Sequence, residues 1–103
     1  MFLSGQISIN PETNEFIDGD IEMQTEQVLK NIKAILEAGN SSLEDVVKVT
    51  IYLQDIKDFA SVNKIYSKYF EKSLPARVCI EVSNLPKNAK LEIEAIAACI
   101  NSK

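Results

Sequence analysis

The sequence has 103 residues, enough for one small domain, and its 11 basic and 15 acidic residues give a formal net charge of −4. It contains no histidine, which excludes a Ser-His-Asp triad, a Cys-His dyad and a histidine zinc site. An acidic chain without a basic block lacks the charge pattern of nucleic-acid binding, and no apolar run approaches the ~20 residues that cross a bilayer. We therefore expect one cytoplasmic globular domain with neither a nucleic-acid nor a membrane partner.

The first part of the chain predicts a strand, a turn and a long helix. Residues 2–9 form the strand, which ends at the turn cluster of residues 10–14, and Phe16 and Ile17 then return as a short hairpin arm. Asp18 or Asp20 caps a helix over residues 21–38, and Gly39 ends it. The predicted apolar face of this helix consists of Ile21, Val28, Ile32 and Ile35, with Leu36 adjacent.

The remaining part predicts one further helix and three strands. Ser41 to Glu44 resembles a capping box on a single helical turn, and a strand over residues 46–54 follows. Asp58 opens the second helix, in which apolar residues recur at helical spacing. A third strand covers residues 76–83, and a fourth covers residues 91–100. The order β-α-β-α-β-β indicates an α+β fold, a single sheet with two helices on one face.

Alternation along the strands divides the predicted sheet into an apolar face and a mixed face. The apolar set is Leu3, Ile7, Ile9, Val47, Val49, Ile51, Leu53, Val78, Ile80, Val82, Leu91, Ile93, Ala95 and Ala97. The mixed set is Ser4, Gln6, Val46, Lys48, Thr50, Tyr52, Arg77, Cys79, Glu81, Glu92, Glu94, Ile96, Ala98 and Ile100. Two helices cannot cover both faces, so the mixed face meets water or another subunit, and its apolar content favours self-association.

Several polar residues are candidates for a functional site. Arg77 offers a bidentate fork to a carboxylate ligand, although an ion pair with Glu81, Glu92 or Glu94 is the simpler alternative. Glu92 and Glu94 share a face, where close carboxylates suit proton transfer, yet exposed strands commonly carry such pairs. Asn63 is either a surface residue or a ligand contact.

Cysteine usage indicates a reducing compartment. Cys79 and Cys99 lie 20 residues apart in apolar segments and form no CxxC motif. Two buried, reduced thiols are therefore predicted rather than a disulfide.

Segments along nearly the whole chain match one known pattern in order. They are PARVCIEV at residues 75–82, LPK at 85–87, LEIEA at 91–95, SGQI at 4–7, QTEQVLKN at 24–31, DVVK at 45–48 and DFASVN at 58–63. In these segments the sequence resembles the RidA/YjgF family of enamine/imine deaminases. The resemblance implies a chorismate-mutase-like α+β fold, a single domain over residues 1–103, and a homotrimer with its sheets facing inward.

The resemblance also implies a reaction. Similar proteins bind small 2-imino or 2-enamino acids, products of PLP-dependent dehydratases, in clefts between subunits and hydrolyse them to 2-oxo acids and ammonia without metal or organic cofactor. By the same resemblance Arg77 would clamp the substrate carboxylate, while Glu92 would activate water and move protons. The backbone of Cys79 would hold water or the substrate nitrogen. The positions that would shape the cleft are Ser4, Gly5 and Asn63.

One departure and one alternative accompany this hypothesis. In similar proteins a segment before SGQI carries a further strand and an aromatic residue, usually tyrosine, that reaches the cleft; this sequence begins at Met1, and we expect a domain without that strand. The alternative function is a non-catalytic trimer that binds 2-oxo or other small carboxylic acids through Arg77, with a regulatory role. Nucleolytic activity, proposed for some relatives, fits poorly with a pI near 4.8 and no histidine.

Overall fold

The order of strands and helices follows the predicted one, except that the predicted first strand over residues 2–9 is divided into two. The computed structural model describes residues 1–98. Its elements are β1 (Phe2–Gln6), β2 (Ile9–Asn10), β3 (Glu15–Phe16), α1 (Ile21–Ala38), β4 (Val46–Leu53), α2 (Phe59–Tyr69), β5 (Ala76–Glu81) and β6 (Leu91–Ala97). Cys99 and the predicted end of the fourth strand at Ile100 lie outside the described residues.

Four strands form one mixed sheet in the order β1-β6-β4-β5. Strand β6 pairs antiparallel with β1 and with β4, whereas β4 and β5 are parallel and joined through α2. Helices α1 and α2 contact each other and cover one face of the sheet, and the hydrophobic core lies between the two layers. The predicted α+β fold with two helices on one face is thus confirmed. Among the described residues, no helix combines the length and apolarity that crossing a membrane requires.

Helix α1 has the bounds that the sequence predicts. The Asp20 carboxylate accepts a hydrogen bond from the backbone N–H of Met23 at 2.8 Å and caps the helix. Its fully buried apolar residues are Val28, Leu29, Ile32 and Leu36. The prediction that Ile35 lies on the buried face is wrong, because Ile35 is 38 % exposed and Leu36 occupies the core position.

The turn after α1 also differs in detail from the prediction. Asp45, rather than Glu44, closes the capping box: its carboxylate accepts from the backbone N–H of Ser42 at 3.1 Å and from the hydroxyl of Ser41 at 3.0 Å. Earlier in the chain, the first strand also differs from the prediction, because β1 ends at Gln6 rather than at residue 9. The predicted hairpin forms between β2 and β3.

Two strands present faces other than the predicted ones. A register shift between Val46 and Lys48 places Val46 in the core and leaves Val47 52 % exposed. In β5, Val78 and Ile80 are each 43 % exposed, whereas Cys79 packs against the core. Arg77, Cys79 and Glu81 therefore face the helices, which reverses the predicted assignment of this strand (Val82, just beyond it, is half-buried).

The uncovered side of the sheet, called here the open face, consequently carries more apolar surface than predicted. Val78 and Ile80 lie beside Thr50 and Tyr52 in the parallel register of β4 and β5. Phe2 and Ile96 are paired across β1 and β6, and they are 64 % and 39 % exposed. The polar residues of this face are Ser4, Lys48, Thr50, Tyr52, Glu92 and Glu94.

Tyr66 of α2 provides a stability prediction. Its side chain is 6 % exposed, and its hydroxyl has no hydrogen-bond partner among the described residues. A buried hydroxyl without a partner loses its hydrogen bonds to water on folding and gains none in the protein. We therefore expect Tyr66→Phe to raise the free energy of unfolding by about 1 kcal/mol. Urea denaturation measures this value. Tyr69→Phe is the matched control, since it removes the hydrogen bond from Tyr69 to Glu26 and should lower stability; equal losses in both variants would contradict the prediction.

Candidate functional site

Arg77, the single arginine of the sequence, stands at the start of β5 with its side chain against α2. Its guanidinium donates a hydrogen bond to Oδ1 of Asn63. The guanidinium carbon lies 5.1 Å from the ring centroid of Phe59 and 4.9 Å from that of Tyr66, within the range of cation–π attraction. Positions 59, 63 and 66 follow i, i+4, i+7 spacing, so one face of α2 supplies all three contacts.

No acidic side chain among residues 1–98 neutralises this guanidinium. The ion pair within that range joins Lys64 and Glu22 at 3.9 Å, on the outer surface of the helices. Glu81 is engaged elsewhere, because its carboxylate accepts a hydrogen bond from the backbone N–H of Ile56 at 2.8 Å. The simpler alternative for Arg77, an ion pair with a neighbouring glutamate, is therefore not formed in the described chain.

Cys79 lies two residues after Arg77 on the same side of the sheet. Its side chain is half-buried and packs against the core. Burial raises the pKa of the thiol above its usual value, and the nearby positive charge of Arg77 opposes this only in part. The thiol is thus held neutral near pH 7, which does not favour a nucleophilic role. Arg77, Asn63, Phe59, Tyr66 and Cys79 are called the arginine group below.

Glu92 of β6 forms the centre of a second group with two residues of β1. The Glu92 carboxylate occupies the space that a side chain at Gly5 would fill: a Cβ built on Gly5 would lie 1.7 Å from Oε2 of Glu92. Gly5 is therefore required here for close approach rather than for its backbone angles. Ser4 precedes it and is exposed. Glu92, Gly5 and Ser4 are called the glutamate group below.

Glu94, the second predicted carboxylate, has a partner of its own. The hydroxyl of Tyr52 in β4 donates a hydrogen bond to Glu94. This bond, with desolvation and the negative charges of Glu94 and Glu92, raises the pKa of Tyr52 above its usual value. Glu92 and Glu94 share the open face as predicted, but their environments differ, and Glu92 is the carboxylate without a phenol partner.

The arginine and glutamate groups lie apart within one chain. Strand β4 separates β5 from β6, and Arg77 is level with Val49 whereas Glu92 is level with Tyr52. From the usual strand spacing and rise, the backbones of Arg77 and Glu92 are about 14 Å apart. Their side chains also leave opposite faces of the sheet. The prediction that Arg77 shares a face with Glu92 is therefore wrong, and the six predicted site residues divide between the two groups.

Phe59 and Tyr66 belong to the apolar residues that recur at helical spacing in the second helix, and this periodicity predicts them only as core residues. Their spacing around Asn63 was a usable signal, since i, i+4, i+7 positions on a helix face one point. Only the position of β5 shows that this point is the guanidinium of Arg77.

Neither group lines the cavity at the C-terminal ends of the two helices, and neither belongs to a metal-ligand cluster within residues 1–98. A cavity of about 310 Å³ near the C-terminal ends of α1 and α2 is lined by lysines and glutamates of mixed sign and includes neither Arg77 nor Glu92. Within residues 1–98, no three His, Cys, Asp or Glu side chains converge in a way that could hold a metal ion.

Comparison with known proteins gives consistent results. The sequence model of the Ribonuc_L-PSP family, described as endoribonuclease L-PSP, matches residues 1–99. A RutC family protein of Pyrococcus horikoshii is 60% identical over 97 residues, covering 94% of this chain and 77% of that protein. Reactive Intermediate Deaminase A, chloroplastic, of Arabidopsis thaliana is 52% identical over 97 residues, covering 94% of this chain and 52% of that protein. The crystal structure of E. coli TdcF with bound serine is similar with a TM-score of 0.88 and 42% identity, covering 94% of this chain and 78% of that one.

Proposed function

Since this chain belongs to the Ribonuc_L-PSP family, which includes the RidA/YjgF proteins, we propose that it hydrolyses reactive 2-imino and 2-enamino acids to 2-oxo acids and ammonia. The observation that carries this proposal is Arg77, a positioned guanidinium without an acidic partner among the described residues. Such a group is a receptor for a small carboxylate. The deaminase name of the Arabidopsis relative and the serine bound to TdcF support the same ligand chemistry.

The proposal includes a homotrimer whose open faces turn inward. Phe2, Val78, Ile80 and Ile96 expose apolar surface on that face, and association would remove it from water. A cyclic, head-to-tail interface would also place the arginine group of one copy beside the glutamate group of the next. Because one chain keeps the two groups about 14 Å apart on opposite faces, a complete site requires two copies.

In this site Arg77 holds the substrate carboxylate, and Glu92 moves protons. The Glu92 carboxylate takes a proton from a water molecule while the water oxygen bonds to the imine carbon. That proton then passes to the substrate nitrogen and gives a carbinolamine. A second proton moves from its new hydroxyl group through Glu92 to the nitrogen, so the carbon–nitrogen bond breaks and ammonia leaves as the carbonyl forms. For an enamine, Glu92 first takes a proton from the nitrogen and delivers one to the adjacent carbon, which gives the imine and returns Glu92 to the carboxylate form. The backbone of Cys79 would hold the water or the nitrogen, and Ser4, Gly5 and Asn63 would shape the cleft.

Mixing two inactive variants tests both the reaction and the shared site. Arg77→Ala and Glu92→Gln are each purified, unfolded in urea and refolded together in equal amounts, and ammonia release from enzymatically generated 2-iminobutanoate is measured. With one group from each of two neighbouring copies, random assembly makes about one site in four complete, so about a quarter of the wild-type rate should return. Each variant refolded alone is the control.

Two other outcomes would reject parts of the proposal. If the mixture stays inactive while wild type is active, the site does not combine residues of two copies. If wild type binds 2-oxobutanoate but releases ammonia no faster than the uncatalysed reaction, the non-catalytic binding function replaces the enzyme. Light scattering checks the trimer directly, and a monodisperse monomer would contradict it.

Gly5 gives a prediction on the geometry of Glu92. In Gly5→Ala the new methyl group would overlap the Glu92 carboxylate, which is the far end of a flexible side chain and moves away. We expect kcat to fall roughly tenfold while the free energy of unfolding changes little, because misplacing a reacting group is costly for catalysis even where the fold tolerates it. Gly19→Ala, a matched change outside both groups, should keep wild-type kcat; an unaltered kcat in Gly5→Ala would contradict the assigned position of Glu92.

The proposal also places the protein in the cytoplasm. Cys79 is a free thiol in the described chain, which is usual where the cell keeps thiols reduced. Nucleic acid is not proposed as a substrate despite the name of the family model, because the chain has a net charge of −4 and no histidine.

A further inference from the structure

Arg77 combines an exposed side chain with a guanidinium that several neighbouring side chains hold in place. The side chain is exposed, and an exposed arginine ordinarily samples many rotamers. Here three side chains of α2 contact the guanidinium at once: the Asn63 carbonyl accepts its hydrogen bond, and the rings of Phe59 and Tyr66 lie beneath it. These contacts restrict the conformations of the Arg77 guanidinium in the absence of a ligand, so the group is preorganised for binding.

We propose that Phe59 and Tyr66 form an aromatic shelf that positions the Arg77 guanidinium for a carboxylate ligand. The ligand in this inference rests on the proposed function, whereas the ordering of Arg77 does not. Ring faces attract a cation and favour a guanidinium that lies flat against them. Asn63 accepts one hydrogen bond from a guanidinium that has five N–H donors, so donors remain from which a carboxylate can accept two parallel hydrogen bonds. Phe59 and Tyr66 act through Arg77 and are therefore positioning residues.

The shelf itself is held rigidly, which a positioning role requires. Tyr66 is 6 % exposed and its ring packs on that of Phe70, with the centroids 4.7 Å apart. Packing rather than hydrogen bonding fixes this ring, because its hydroxyl has no partner in the described chain. Phe59 opens α2, and the hydrogen bond from the Ile56 backbone to Glu81 ties the preceding turn to the end of β5. The strand that carries Arg77 and the helix that carries the shelf are thus linked.

The contribution expected from the shelf is in binding. Fixing the guanidinium before binding reduces the conformational entropy that the ligand must remove, so its loss should weaken affinity without changing the proton transfers. From the strength of a cation–π contact at a partly exposed site, we expect roughly fivefold weaker binding per ring removed. The loss should therefore raise KM and leave kcat nearly unchanged.

The test compares ring removal with ring retention in the assembled protein. Phe59→Leu and Tyr66→Leu remove a ring, whereas Tyr66→Phe keeps it and is the matched control. Because Arg77 is the single arginine, ¹⁵N-arginine labelling gives one Nε–H signal whose relaxation reports the order of this side chain. The second measurement is the Kd for 2-oxobutanoate by calorimetry, and the third is KM and kcat for 2-iminobutanoate.

We expect the Nε–H bond of Arg77 to show restricted motion in wild type and in Tyr66→Phe. In Phe59→Leu we expect greater Nε–H motion and a roughly fivefold higher Kd. Equal order of Arg77 in all folded variants would overturn the shelf, as would an unchanged Kd. If Tyr66→Leu fails to fold, Phe59→Leu alone decides, since Phe59 is only half-buried. If no variant, wild type included, binds 2-oxobutanoate or acts on the imine, the proposed function fails while the Nε–H measurement still decides the shelf.

Discussion

Replacing Arg77 with alanine is expected to weaken 2-oxobutanoate binding roughly 100-fold or more and to lower kcat/KM for 2-iminobutanoate by a similar factor. A bidentate guanidinium–carboxylate pair contains two charge-assisted hydrogen bonds, and losing it costs about 3 kcal/mol. Arg77→Lys should recover only part of this loss. Lysine presents one point charge without a planar fork, and it does not lie flat on the rings of Phe59 and Tyr66.

Lys64→Ala is the control for this prediction. Lys64 adjoins Asn63 on α2, carries the same charge, and pairs on the surface with Glu22 at 3.9 Å. Exposed pairs of this kind contribute little, so kcat/KM and stability should stay close to wild type. Calorimetry and initial rates measure the binding and the activity, and circular dichroism verifies the fold. Binding within about threefold of wild type in Arg77→Ala would reject Arg77 as the carboxylate receptor.

Glu92→Gln is expected to lower kcat by roughly 100- to 10,000-fold while the Kd for 2-oxobutanoate remains within about twofold. The amide keeps the size of the side chain beside Gly5 but cannot accept a proton from water. The change therefore removes proton transfer and leaves carboxylate binding at Arg77 in place. Single-turnover rates of ammonia release separate this chemical step from binding.

Glu94→Gln is the matched control on the same strand and the same face. Its carboxylate already accepts a hydrogen bond from Tyr52, so it is not available to a substrate in the way that Glu92 is. We expect kcat near the wild-type value and a lower pKa for Tyr52, because the hydrogen bond and the charge of Glu94 raise it. Loss of activity in Glu94→Gln with normal activity in Glu92→Gln would transfer the proposed role to Glu94.

The helices and the order of elements were predictable because their signals are local. The bounds of α1 agree with the sequence prediction, since the Asp20 cap, the apolar period and the stop at Gly39 all act within a few residues. The segments that carry the family resemblance are also continuous in sequence, so they can be recognised without coordinates. The candidate site residues that this resemblance implies are Arg77, Glu92, Ser4, Gly5, Asn63 and Cys79.

The faces of β4 and β5 were not predictable in the same way. Both alternating sets of β5 contain apolar residues, Val78 and Ile80 in one and Cys79 in the other, so the pattern is ambiguous. The parallel register with β4 resolves it by placing Val78 beside Thr50 and Ile80 beside Tyr52. The register shift near Val46 similarly depends on pairing with β6 and leaves no mark in the alternation.

The sequence by itself determined the fold class, the family and the residue types of the candidate site in this acidic chain without histidine. The tertiary structure alone decided that Arg77 faces α2, that Phe59 and Tyr66 lie beneath it, and that Glu92 lies over Gly5 on the other side of the sheet. The reason is physical: helix periodicity and caps are short-range properties of the chain. The side of a sheet on which a side chain lies depends on pairing between strands that are distant in sequence.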